Sequence, residues 1–283
     1  MVQATQSPTL IAFIGDLHGN RSAFEHTAAV ALHRGCTTIV QVGDFWMYNS
    51  DRDIAKMQRA LRHACPWNMD PELIDYRFID GNHENFDLID PDAAAPVQVS
   101  DNVTYMPRCS RANLAGVELM FFGGASSVDR FDDRGAPVRT TGRDWWPAEN
   151  ITHAQVGRAL DTASREATPV DILVTHETTT ETFQALSDER ARQRFRQLDT
   201  DDLEGDRNRW FLSQIAQAVN PRLQVHGHHH MPFSGVFGGV HDLSLGIEKQ
   251  FGAMAILDTS DWSWTVPVSR KDVGDDVDLR MAS

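Results

Sequence analysis

The chain has 283 residues, is 41% hydrophobic and carries a formal charge of -14 at pH 7. That length suffices for a large core in one domain, and no apolar run approaches the roughly 20 residues of a membrane span. The acidity argues against broad electrostatic binding to nucleic acid, which needs a basic surface, but leaves a small phosphate ester open. Residues 1–9 (MVQATQSPT) lack the charged and apolar regions of a secretion signal, so a soluble, cytoplasmic protein without membrane partners is expected. Cys36, Cys65 and Cys109 are odd in number and form no CxxC pair, as reduced packing residues would be.

In chain order, Leu10–Ile14 is an apolar run of strand length ending at Gly15-Asp16. Ser22 and Glu25 then predict a capping box for a helix whose Phe24, Ala28, Ala31 and Leu32 share a face. The unit repeats: a strand at 38–42 ends at Gly43-Asp44, and Ser50 with Asp53 opens a helix with Ile54, Met57 and Leu61 on one side. A third strand at 77–79 ends at Asp80-Gly81-Asn82-His83. Further strands are predicted at 117–122 and 171–175, with a helix between them from the Thr152/Gln155 capping box. A charged, weakly periodic stretch at 178–205 holds a candidate helix over 181–197. A helix at 208–219 leads into the strand before His226, and short strands follow at 232–237, 240–245, 252–257 and 262–268. The expected domain spans 10–270, between a flexible N-terminus at 1–9 and a flexible acidic tail at 271–283.

Ligands of α/β sheets bind outside the carboxyl ends of strands, where successive loops converge. Those ends carry Asp16 and His18 in GDLHGN, Asp44 in GDFW, Asn82 and His83 in GNHE, His176 in VTHE, and His228 with His230 in GHHH. Imidazole and oxygen groups gathered at one edge suit Mn, Fe or Zn better than Ca or Mg. Each motif alone reads more readily as a turn, since Asp and Gly are common there; five in order at five strand ends read as a metal site.

This ordered pattern resembles that of the calcineurin-like metallophosphoesterase superfamily over roughly residues 10–258. The resemblance implies a four-layer α/β/β/α sandwich, with two mixed central sheets flanked by helices. It implies two divalent metal ions, one held by Asp16, His18, Asp44 and His230 and the second by Asp44, Asn82, His176 and His228, with manganese the expected activator in vitro. It also implies phosphoester hydrolysis by in-line attack of a bridging hydroxide, with Asp44 and His83 as catalytic residues and His83 serving the leaving oxygen. In the HGHHH cluster, His226 is expected to pack behind the ligands and Gly227 to permit a tight bend.

The second motif, GDFWMYNSD, departs from the GDxxDRG of the superfamily's phosphoprotein phosphatases and dinucleoside polyphosphatases, which points to the phosphodiesterase branch and a small, possibly cyclic, nucleotide diester. A phosphomonoesterase with the same metals and a noncatalytic protein-binding scaffold are the alternatives. The segment 123–150 (GGASSVDRFDDRGAPVRTTGRDWWPAEN) is similar to one in bacterial and bacteriophage members. Its Arg130, Arg139 and Arg143 are either phosphate contacts or partners of neighbouring aspartates. Trp145 and Trp146 are read as packing residues before a base platform. Asn20, either a substrate contact or a turn residue, and His229 complete the candidate substrate-binding set with Arg130 and Arg143.

Overall fold

The computed structural model describes residues 9–46, 50–132, 134–192, 202–267 and 277–280. The expected N-terminal extension apart from Thr9 lies outside them, as do tail residues 271–276 and 281–283. Three parallel strands, β1 (Leu10–Ile14), β2 (Thr38–Gln41) and β3 (Asp75–Phe78), begin the first sheet, linked by α1 (Arg21–His33) and α2 (Asp51–Ala64). β4 (Val97–Ser100) and β5 (Val103–Tyr105) extend it on one side. On the other side lie antiparallel β12 (Met254–Asp258), β13 (Ser263–Val266) and β14 (Val277–Arg280), giving the order β14-β13-β12-β1-β2-β3-β5-β4.

The second sheet contains β6 (Ser110–Leu114), β7 (Val117–Phe122), β8 (Ile172–Thr175), β9 (Leu223–His226), β10 (Phe233–Phe237) and β11 (Val240–Ser244), in the order β10-β11-β9-β8-β7-β6. α3 (His153–Arg165) connects β7 to β8, and α4 (Thr180–Arg192) and α5 (Leu203–Val219) connect β8 to β9. Both sheets are mixed, with parallel centres.

Side-chain alternation along the strands explains the layering. Ile11 and Phe13 of β1 pack with Leu119 and Phe121 of β7 and Val174 of β8, forming the core between the sheets. Ala12 and Ile14 point the other way, against Phe24, Ala28, Leu32, Met57 and Leu61 of α1 and α2. Met120, Phe122 and Leu173 face Val156, Ala159, Phe211 and Ile215 of α3 and α5. Three apolar layers therefore separate four layers of elements, the α/β/β/α sandwich expected. Each fully buried Ile or Phe contributes about 1.5–3 kcal/mol of transfer free energy.

Several boundaries differ from the sequence reading. α1 begins at Arg21 with Asn20 as its N-cap, whose Oδ1 accepts from Ala23 N at 3.1 Å, so the Ser22/Glu25 box does not form. The left-handed Gly19 (φ 69) turns the chain early enough to start the helix there. The caps expected at Ser50 and at Thr152 with Gln155 are present. α4 occupies 180–192, while 193–197 lie outside the described residues. Strands β4, β5 and β6 have no counterpart in the sequence reading, because they are short and partly polar. β14 pairs with β13, in place of an unstructured tail; main-chain bonding to a sheet edge requires little apolar side chain. No helix among the described residues is long and apolar enough to cross a membrane.

Candidate metal centre

The loops after β1, β2, β3, β8 and β9 meet at one edge of the sandwich and bring all seven expected ligands together. Potential ligand atoms of Asp16, His18, Asp44 and His230 lie within 4.8 Å of one another, and so do those of Asp44, His176 and His228. Asp44 belongs to both groups. Its Oδ2 is 3.2 Å from His18 Nε2, and its Oδ1 is 3.3 Å from His176 Nε2. Oδ1 also accepts from the backbone N–H groups of Asn82 and His83, at 3.0 Å each, which locks the carboxylate between two loops. Asp16 Oδ2 lies 2.9 Å from His230 Nε2.

Asn82 completes the second group. Its Oδ1 is 3.0 Å from His228 Nδ1 and 3.3 Å from His176 Nε2. His176 Nδ1 lies 2.8 Å from the Val42 carbonyl and donates to it, which aims Nε2 at the carboxylate and amide oxygens. Burial keeps His228 neutral, well below its usual titration range, despite the opposing charge of Glu177. Neutral imidazole, amide oxygen and carboxylate converging on one point are a donor set suited to a divalent transition metal, and the residues present fit such ions at both groups. The same field draws a proton onto His176: burial opposes it, but Asp44 and Asp16 raise the pKa to about 10. Burial would raise the Asp44 carboxyl, yet the neighbouring His176 and His83 and the His176 and His18 hydrogen bonds hold it well below the ordinary range.

Close approach explains the glycines of the motifs. A Cβ on Gly81 would stand 2.2 Å from Asp44 Oδ1, and one on Gly227 2.1 Å from Asp16 Oδ1. Gly227 is thus required for proximity, and it is absent from the residues of positive φ that a tight bend would employ. Four of the expected ligands are themselves left-handed: His18 (φ 45), Asp44 (φ 55), His228 (φ 64) and His230 (φ 53). Such conformations cost non-glycine residues of order 1–3 kcal/mol and cluster at functional sites.

A shell of buried acids supports the centre. Glu84 Oε1 accepts from Phe45 N (2.6 Å) and Trp46 N (3.2 Å), and its Oε2 from Gly81 N, tying the loop after β2 to that after β3. Burial and the neighbouring Asp44 push its carboxyl up to about 8. Glu177 lies behind His228 Nε2 at 3.7 Å and also meets His229 and Arg209. Burial works against that carboxylate, but its contacts with His229, His228 and the Arg209 guanidinium hold it far below the ordinary range.

His83 stands at the mouth of the site, its Nε2 3.9 Å from Asp44 Oδ2 and its ring stacked on half-exposed Trp46. Arg139 donates to its Nδ1 at 3.2 Å, which places the imidazole proton on Nε2. Burial, then Arg139 and His18, lower its pKa against the pull of Asp44.

The candidate substrate contacts fare differently. His229 is buried, with its Nε2 2.7 Å from Glu177 Oε1 and its ring against Phe183, so it has no face for a substrate arriving from solvent. Arg143 is 77% exposed and pairs with Asp144 on its own loop. Arg130 stacks on Trp145, 3.4 Å from the ring centroid, and reaches Glu204 at 3.9 Å; the buried Trp145 is a packing residue. Asn20 is spent on capping α1 and on Glu248 Oε1 at 3.3 Å. His226 sits behind the ligands as expected, its Nε2 3.1 Å from Asp242. Arg139 is the arginine that reaches the centre, through His83. Glu177 escapes the sequence reading although it follows His176 directly in VTHE; nothing in the local sequence marks Ser127, Glu149 or Arg108, which also support the site.

The calcineurin-like phosphoesterase family model matches residues 9–232, most of the chain. The chain belongs to the calcineurin-like phosphoesterase family. No curated protein matches it significantly. Among solved structures, a dimetal phosphatase from Danio rerio is similar to this phosphoesterase with a TM-score of 0.54 at 10% identity, covering 96% of this chain and 99% of that one. The TT1561 protein of Thermus thermophilus gives a TM-score of 0.51 at 13% identity, over 96% of this chain and 98% of that one. At such identities the likeness is one of fold. The fold, family and ligand clusters together make this chain a metallophosphoesterase with a candidate metal centre.

Proposed function

We propose that this phosphoesterase hydrolyses a small phosphodiester, a nucleotide or cyclic nucleotide being the favoured class, in the cytoplasm. Asp16, His18, Asp44 and His230 would hold one divalent ion, and Asp44, Asn82, His176 and His228 the other, with Mn²⁺ the expected activator among Mn, Fe and Zn. Bound there, two ions would supply Lewis-acid neutralisation of the phosphoryl oxygens and lower the pKa of an attacking water. Asp44 keeps the two groups at one spacing. His83, protonated on Nε2 because Arg139 occupies Nδ1, donates to the leaving oxygen.

The observation that favours a diester is the state of Arg139. This guanidinium beside His83 is already paired with Asp129, so it offers little uncompensated positive charge to a dianionic monoester. A diester carries one negative charge and needs less. The chain's charge of -14 likewise favours a small substrate over long nucleic acid.

Metal-stripped protein reloaded with Mn²⁺ and assayed against bis-p-nitrophenyl phosphate, p-nitrophenyl phosphate and 2',3'-cyclic AMP tests the reading. Higher kcat/KM for the diesters is expected. Preference for the monoester overturns the diester assignment, and no turnover with Mn²⁺, Fe²⁺ or Zn²⁺ favours the scaffold alternative.

A further inference from the structure

Asn82 is held on both sides of its amide. Its Oδ1 faces His228 and His176, while its Nδ2 donates to Ser127 Oγ at 3.1 Å. Ser127 follows β7 in the other sheet. Its hydroxyl donates to Glu149 Oε2 at 2.8 Å, and its backbone N–H donates to Glu149 Oε1 at 2.8 Å. All three side chains are buried. We propose that Glu149, acting through Ser127, is a positioning residue that fixes which end of the Asn82 amide faces the metal centre. The inference rests on the reading of Asn82 as a ligand.

The reason is the direction of the hydrogen bonds. A carboxylate offers only acceptors, so the single Ser127 hydroxyl proton goes to Glu149. Ser127 Oγ is then left as an acceptor, which only the Nδ2 end of Asn82 can satisfy. Oδ1 is thereby turned toward the cation position. A glutamine at 149 has the same shape but can present an N–H to Ser127 Oγ, which sends the hydroxyl proton toward Asn82 and favours the flipped amide. Burial pushes the Glu149 carboxyl up to about 7, while the Ser127 N–H and hydroxyl both favour its ionised, acceptor-only form.

The backbone around Glu149 is fixed from the same strand end that carries Asn82. Arg108 donates to the carbonyls of Ala148, Glu149 and Asn150 at 2.9 Å each and pairs with Asp80 through two bonds of 2.9 and 2.6 Å. Asp80 lies two residues before Asn82. The chain Asp80, Arg108, Glu149, Ser127, Asn82 thus closes on itself and registers the β7 loop against the β3 loop.

Glu149→Gln and Ser127→Ala test this in the full chain, by Mn²⁺ titration with equilibrium dialysis and by the exchange-coupled two-manganese EPR signal. The expected result is parent affinity for the first ion, second-ion affinity weakened about 10- to 100-fold, and loss of the coupled signal at Mn²⁺ concentrations that saturate the parent. Ser127→Thr, which keeps the hydroxyl, restores both. Equal weakening of both ions, or parent affinity for both in folded variants, overturns the proposal. Should Glu149→Gln fail to fold, Ser127→Ala, which removes one oxygen, carries the test alone. A parent that binds fewer than two Mn²⁺ ions overturns the metal-centre reading and this inference with it, whereas a two-ion parent with unaffected variants overturns this inference alone.

Discussion

The expected ligands lie just past the ends of β1, β2, β3, β8 and β9, whereas Arg130, Arg139 and Arg143 lie on the irregular segment between β7 and α3. At the first location two sheets dictate where each loop begins, so residues far apart in the chain reach one point with little freedom. At the second, the chain holds itself by local contacts: Asp129 pairs with Arg139, Asp144 with Arg143, and Asp132 accepts from the backbone of Arg134 and Ala136. The contrast teaches that a strand end transmits the geometry of the whole fold to a side chain. An arm of this kind transmits mainly its own sequence, except where residues reach out of it, as Arg139 does toward His83 and Ser127 with Glu149 toward Asn82.

Substitutions on the two sides sharpen that contrast. Asp44→Asn removes the carboxylate charge shared by both ligand groups. Because Lewis-acid stabilisation amounts to several kcal/mol, turnover should fall by roughly 10⁴-fold or more, with metal content below two per chain by elemental analysis. Full metal content with near-normal turnover would break the view that Asp44 joins the groups. His83→Ala should lower kcat by roughly 10²- to 10⁴-fold while leaving metal content intact, as loss of a proton donor does. Metal loss in that variant would move His83 among the ligands.

Arg108→Ala leaves the buried Asp80 with the Tyr105 hydroxyl but without its cationic partner. Urea unfolding should show about 3–5 kcal/mol of lost stability, against the smaller value expected if water reaches the vacated space. The smallest effect belongs to the arm. Arg143→Ala breaks an exposed, solvent-screened pair and should leave kcat/KM within about twofold of the parent. A tenfold rise in KM would show that the arm closes over substrate and would erase the distinction drawn above.

What the sequence made legible follows the same division. The strands that carry the ligands are readable because their apolar runs stop abruptly at Gly-Asp, Gly-Asn-His and Gly-His. That stop is the local trace of a strand leaving the core. Edge strands β4 and β6 leave no such trace, since pairing through the main chain does not require an apolar run. Ser22 and Glu25 match a capping box, yet tertiary demands on the preceding loop move the helix start to Arg21. His229 is misplaced by sequence because adjacency to His228 and His230 says nothing about direction: its neighbours turn toward the centre through left-handed backbone, and its own ring turns to Glu177. Ser127 and Glu149 are invisible there because only the crossing from one sheet to the other makes them neighbours of Asn82.

The left-handed backbone at His18, Asp44, His228 and His230 has a consequence for endurance. Glycine would adopt those conformations without the penalty, so a chain selected for robustness alone would surrender its ligands. Ions held at these residues would bind the folded state in preference to the unfolded one and offset that deficit by mass action. The heat tolerance of the protein would then follow the metal supply of its surroundings as closely as it follows the packing of its core.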